Sequence, residues 1–116
     1  MPARRRRRVP RAVLVLSAYP KRAAAERAAR LLVDGGILAC ATVVPNGRAY
    51  YRWEGTRRSE PSVLLWGKTT AARARAAVRA IRGGHPDSVP EILVLPVSGG
   101  HAPYLRWVAG EVGAKR

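Results

Sequence analysis

Five side chains have the chemical type and setting to do chemistry: Cys40, Lys68, His85, Glu91 and His101. Cys40 is the only cysteine and sits in the apolar run Leu38-Ala39-Cys40-Ala41-Thr42-Val43-Val44. It reads either as a small buried hydrophobe or, as a soft thiolate paired with a histidine across space, as a ligand for Cu(I) or Zn. His85 stands between Gly84 and Pro86 at an element boundary. That place predicts an exposed ring, serving as a loop residue or as a ligand or proton carrier. His101 reads as plain surface near a helix start. Lys68 ends a strand just before a helix, where an anion can sit; it is one of three lysines among 22 basic residues. Its plainer reading is a lysine whose stem snorkels along the sheet. Glu91, after Pro90, is placed to pair with Lys68 or to bind a cation.

No local motif specifies an enzyme. There is no C-x-x-C, no H-x-x-x-H, no G-x-S-x-G and no phosphate-cradling loop. Gly83-Gly84 and Gly99-Gly100 are turn pairs.

The elements that must position these residues belong to one domain, given 116 residues. With 47% apolar residues and no phenylalanine, the core must be built from Val, Leu, Ala and Trp. The formal net charge is +15, which suggests nucleic acid or an acidic surface as a partner. Part of that excess is a tail: residues 1–11 carry six arginines and no acid. They are expected to be disordered, as a solvated segment or an arm on phosphates. The folded domain is expected over 12–113. Arg4–Arg8 followed by Ala12–Ala18 imitates a signal peptide, but Tyr19-Pro20 leads straight into a helix without a cleavage site. No apolar run approaches the roughly 20 residues that span a bilayer, so no membrane partner is expected. One cysteine makes no internal disulfide and suits a reducing, cytoplasmic setting.

Ala12–Ala18 reads as a buried strand. Lys21–Asp34 reads as a helix with Ala24, Ala28, Leu31 and Leu32 on its apolar face, stopped by Gly35-Gly36. Strand residues follow from Leu38, with Pro45-Asn46-Gly47 as a bulge or bend, then Arg48–Trp53. Glu54–Pro61 reads as a polar turn before a third strand, Ser62–Lys68. There Val63 and Leu65 point one way, and Leu64, Trp66 and Lys68 the other. Thr69 or Thr70 is a candidate cap for a helix ending at Arg82. Its stripe is Ala74, Ala77, Val78 and Ile81, and Arg75, Arg79 and Arg82 share a basic face. Ile92–Val97 is a short strand, and Ala102–Val112 a last helix with Tyr104, Leu105, Val108 and Val112 inward. Strand–helix–strand twice, then a helix, predicts an α+β, ferredoxin-like antiparallel sheet with helices on one face. The other face carries large side chains and must be covered, so a domain this small should oligomerise.

Several blocks then fall in order: Cys40-Ala41-Thr42-Val43-Val44-Pro45, Tyr51-Arg52-Trp53-Glu54-Gly55, Lys68-Thr69, His85-Pro86-Asp87-Ser88-Val89-Pro90-Glu91-Ile92, Leu95-Pro96 and Tyr104-Leu105-Arg106-Trp107. In this order and spacing the chain resembles the CutA divalent-cation tolerance family, from about Ala12 to Val112. The resemblance implies a ferredoxin-like subunit in a PII-like homotrimer. It implies a link to tolerance of copper and other divalent cations, and no established catalytic reaction. Position by position, Cys40 and His85 match the family's candidate copper ligands. Lys68, Glu91, Tyr104 and Trp107 match its inter-subunit cleft. Tyr51 and Trp53 match a signature whose plain role is trimer packing.

Three departures bear on function. Thr42 stands where the family usually has Asn, and Asp87 where it has Tyr. The usually acidic turn is here Arg57-Arg58-Ser59-Glu60. A carboxylate at 87 favours harder cations, and a strongly positive chain is poorly suited to concentrating free cations. Three functions are therefore expected to compete. The first is a cytoplasmic trimer binding copper through Cys40 and His85. The second is a PII-like sensor of small molecules or anions at Lys68. The third is a nucleic-acid-associated scaffold using the Arg4–Arg8 tail and Arg75, Arg79 and Arg82.

Overall fold

The computed structural model describes residues 10–113; all but the last two residues of the basic tail lie outside this range. The elements run β1 (Ala12–Tyr19), α1 (Arg22–Asp34), β2 (Cys40–Trp53), β3 (Thr56–Thr70), α2 (Ala71–Gly84), β4 (Ile92–Pro96) and α3 (Ala102–Glu111). The strands form one sheet in the order β2-β3-β1-β4 with every pairing antiparallel. This is the expected α+β, ferredoxin-like architecture. Among the described residues no helix is long and apolar enough to cross a membrane.

β1 is central, paired to β3 on one side and β4 on the other. Its apolar run is split by the pleat. Val13, Val15, Ser17 and Tyr19 are buried, and Leu14, Leu16 and Ala18 only half-buried. The buried set faces α1 and α2 and joins Val63 and Leu65 of β3 in the core with Ala25, Leu32, Leu38, Ala77 and Ile81. Each fully buried Leu or Val side chain contributes about 1.5–3 kcal/mol. Gly67 belongs to this packing, because a Cβ there would come within 2.8 Å of the Leu38 side chain.

Two sequence expectations change here. The α1 stripe differs at one edge: Leu32 is buried and Ala24 and Ala28 pack against the core as expected, but Ala25, seven residues from Leu32 and so nearly in line with it, is buried while Leu31 is 63% exposed. The polar stretch Glu54–Pro61 is not a long turn. β3 begins at Thr56, and the turn is Glu54-Gly55 alone, with φ of 52° and 79°. Positive φ at both central residues makes a type I′ hairpin, whose twist matches that of its strands. The pairing therefore continues from Gly47↔Ser62 to Trp53↔Thr56, and β2 and β3 form an arm beyond the helices. The Pro45-Asn46-Gly47 break is the expected bulge, with a register shift between Val44 and Gly47 and Asn46 at φ 66°. The arm gives the molecule extents of 61 × 27 × 22 Å.

Thr70 holds the N-cap position of α2, but its side chain does not cap. Instead the Ala71 N–H donates to the Arg11 carbonyl at 2.8 Å, and Thr69 Oγ1 donates to the Ile37 carbonyl at 2.7 Å. α3 is held by Val108 and Val112, which form a small separate buried cluster with Ala39. Arg73 secures its end by donating from Nε to the Val112 carbonyl and from Nη2 to the Gly113 carbonyl, both at 3.0 Å.

The opposite sheet face is apolar and open. Register places Leu95, Leu14, Lys68 and Cys40 in one cross-strand row, and Leu93, Leu16, Trp66 and Thr42 in the next. The two layers of the fold make opposite demands on leucine. Leu65→Ala, at a fully buried site, is expected to cost about 2–5 kcal/mol in urea unfolding at fixed protein concentration, whereas Leu31→Ala should stay within about 0.5 kcal/mol.

Candidate functional site

The predicted site residues separate into two groups, at opposite ends of β1. At the first, β2 and β3 pair Cys40 with Lys68, so both side chains project from the open face. Lys68 Nζ donates to Thr42 Oγ1 at 2.8 Å and lies 3.8 Å from Cys40 Sγ. α3 brings Tyr104 against the same thiol. Burial is the main cause raising the Tyr104 phenol above its ordinary value, and the neighbouring Cys40 adds to it. Trp107, one helical turn on, packs against Tyr104 in a tilted arrangement, with ring centroids 5.6 Å apart and planes at 31°. Cys40 and Thr42 thus meet at the Lys68 ammonium, with Tyr104 against the thiol and Trp107 beside Tyr104. The sequence marked Thr42 only as a departure. Its role as the partner of Lys68 depends on an i, i+2 position beside Cys40 that only the β2–β3 register turns into a contact.

The second group lies at the Tyr19 end. His85 is not exposed, as its Gly-His-Pro setting predicted; its side chain has 0% exposure. Nε2 is 2.7 Å from the Ala18 carbonyl, and the Asp87 N–H donates to Nδ1 at 3.0 Å. The tautomer follows: Nδ1 accepts, so Nε2–H donates. The ring also stacks on Tyr19 at 4.3 Å. Both nitrogens are committed within the chain, so neither is offered to a metal. Ala18 lies four residues along β1 from Leu14, the neighbour of Lys68, about 13 Å. Cys40 is two strands further across. The structure does not bring Cys40 and His85 together within one chain. Among the described residues no three His, Cys, Asp or Glu side chains form a metal-holding group, so a copper site built from this pair alone does not fit one chain.

Glu91 also stays at the Tyr19 end. Its carbonyl accepts from Ser17 Oγ at 2.7 Å, and no ion pair joins it to Lys68 among the described residues. It lines an open cleft of about 570 Å³ between the arm and the 85–91 loop, with Tyr51, Trp53, Arg58, Glu60 and Asp87. The Tyr51 phenol is raised, first by desolvation and then by its hydrogen bond to Glu60 and the charge of that carboxylate. His101 is exposed at the N-cap of α3.

Beneath this cleft Tyr19 is only 3% exposed, and among the described residues its hydroxyl has no hydrogen-bond partner. Burial raises the phenol; nearby Ser17 opposes this weakly, because its proton goes to the Glu91 carbonyl. A phenol raised on folding contributes stability that is complete below its unfolded value near 10 and is lost as pH climbs through the folded value. Tyr19→Phe removes an unpaired buried hydroxyl, so thermal unfolding at pH 7 should show no loss of stability. Its decline above pH 10 should be shallower than that of the parent chain.

The pattern of the family described as CutA1 divalent ion tolerance protein matches residues 13–111. The divalent-cation tolerance protein CutA of Pectobacterium atrosepticum is 37% identical over 97 residues, covering 84% of this chain and 88% of the relative. Among solved structures, CutA from Xylella fastidiosa superposes with a TM-score of 0.85 at 32% identity, covering 88% of this chain and 98% of that one. The divalent cation tolerance protein Cut A1 from Thermus thermophilus gives the same TM-score and identity, with 88% and 99% covered. With the match running from β1 to the last residue of α3, the chain belongs to the CutA1 divalent ion tolerance family.

Proposed function

We propose that the chain serves tolerance of divalent cations, copper among them, as a cytoplasmic homotrimer whose ligand site is the Cys40–Lys68–Tyr104 group at a subunit boundary. The observation that carries this reading is the apolar row Leu93–Leu16–Trp66, with Leu93 and Trp66 exposed among the described residues. An apolar face of this extent favours association, and closed symmetry is the usual outcome. Tyr51 and Trp53, on the same side of the arm, are the proposed packing residues. Cys40 is the soft donor of the site, and a reducing cytoplasm keeps its thiol free. With His85 of the same chain committed to Ala18 and Asp87, any further donors for copper would have to come from a neighbouring subunit.

A second reading is favoured by Lys68. An ammonium 3.8 Å from the thiol opposes a cation and attracts an anion, so a small anionic ligand held by Lys68, with Tyr104 and Trp107 as walls, competes with metal for the same place. Glu91 would then contribute from the opposite end of β1, through a neighbouring subunit.

Native mass spectrometry of the full chain, with and without Cu(I) under reducing conditions, tests both. The expected mass is about three times 12.6 kDa; a monomer would overturn the assembly. Copper bound by the trimer and lost in Cys40→Ser supports the metal reading. Copper ignored, with anion binding lost in Lys68→Ala and kept in Cys40→Ser, supports the second.

A further inference from the structure

The arm carries a face that lies apart from the Cys40–Lys68–Tyr104 group. Beyond the bulge the register pairs Arg48↔Pro61, Tyr50↔Ser59 and Arg52↔Arg57. Directly paired residues share a face, so Arg48, Tyr50, Arg52 and Arg57 stand together on one side of the ribbon. Arg57 and Ser59 alternate in phase with Val63 and Leu65, so this is the continuation of the helix side of the sheet. It points away from the open apolar face. All four residues are exposed, and Tyr50, at 67%, is more exposed than any other aromatic side chain of the described residues.

The charges on this face are unbalanced. Arg52 and Arg57 are direct cross-strand partners, an arrangement that is destabilising for like charges. The two nearby carboxylates are elsewhere: Glu60 pairs with Ala49 on the opposite face, and Glu54, in the turn, lies 4.0 Å from Arg58. Arg48 Nε donates to Ser59 Oγ at 2.9 Å, and Arg52 Nη2 to the Gly55 carbonyl at 3.4 Å. The remaining guanidinium donors have no protein acceptor among the described residues. On the helix layer of the same side, α2 adds Arg75, Arg79 and Arg82, all exposed on one stripe.

We propose that this face of the arm binds single-stranded nucleic acid, with Arg48, Arg52 and Arg57 on phosphates and a base stacked on Tyr50. Residues two apart on a strand are about 7 Å apart, so the face alternates cation and ring along a flat ribbon. A positive track with an interleaved aromatic platform is the combination that holds unpaired strands without sequence preference. Duplex DNA would use the arginines but leave Tyr50 without a role, because its bases are already stacked.

The test is fluorescence anisotropy of labelled oligo(dT) of about 16 nucleotides, a length on the scale of one such site. It uses the full chain over a salt series, with heparin as a polyanion that has no bases. Arg52→Glu with Arg57→Glu is expected to weaken oligo(dT) binding at least about tenfold and to flatten its salt dependence. Arg52→Lys with Arg57→Lys should retain most of the binding. Tyr50→Ala is expected to weaken oligo(dT) about fivefold or more and to leave heparin binding unchanged. All of these positions are exposed, so the native mass and thermal midpoint should hold and report folding independently. Unchanged affinity in the charge-reversed variant, with binding lost when Arg4–Arg8 are replaced by serine, would overturn the proposal and move the contact to the tail. Equal effects of Tyr50→Ala on oligo(dT) and heparin would overturn it as well, leaving an electrostatic surface without a base platform.

Discussion

The pairing of β1 with β3 is the constraint from which the rest follows. Ser17↔Leu65 and Leu16↔Trp66 decide which side chains meet the helices and which do not. The side-chain period of a strand is two, so a slip of one residue would exchange the faces. One strand's buried set would then share a face with the other's outward set: either Val15 would leave the core for Leu16, or Leu65 would leave it with Trp66 and Lys68 driven under α1 and α2. The fully buried core residues exclude that alternative, and in doing so they place Lys68 beside Cys40. Site and core are two sides of one register.

The same constraint explains why the domain is unbalanced. Two alanine-rich helices cover one face closely, and α3, held by Val108, Val112 and Arg73, sits where Tyr104 reaches Cys40. Among the described residues Trp66 and Leu93 are left exposed beside a half-buried Leu16. Burial of this row on association would add hydrophobic stabilisation in proportion to the apolar area removed from water. It would also enclose the Lys68 group in a setting of lower dielectric, where an ammonium acts more strongly on whatever it meets.

His85 carries the plainest lesson about function. As a residue type between Gly and Pro it looked like an exposed ring, either a loop residue or a ligand or proton carrier. In the fold, its ring stacks on Tyr19 and bridges β1 to the loop before β4 through Ala18 and Asp87. Its chemistry is spent on holding that loop, which in turn presents Asp87 and Glu91 to the cleft. Asp87 thus contributes its backbone N–H to His85 while its carboxylate, 4.0 Å from the same ring nitrogen, lines the cleft along with Tyr51 and Arg58, a division of roles that residue type alone does not announce.

Much of the fold was legible in the sequence because it rests on local pattern. Alternation in Ser62–Lys68, the Gly35-Gly36 stop, the Pro45-Asn46-Gly47 bulge and the order of strands and helices all follow from short-range sterics and periodicity. The ferredoxin-like sheet and the open second face follow from those elements. What sequence periodicity did not decide was the exact edge of the α1 stripe, where Ala25 is buried and Leu31 is left exposed. Nor did it reveal that the polar stretch Thr56–Pro61 is strand: its side chains are exposed, and only the I′ turn at Glu54-Gly55 and the ladder to β2 order it. Composition and spacing named Cys40, Lys68, His85 and Glu91. Tertiary structure alone sorted them, because contacts between residues tens of positions apart are set by strand register, which no local pattern records.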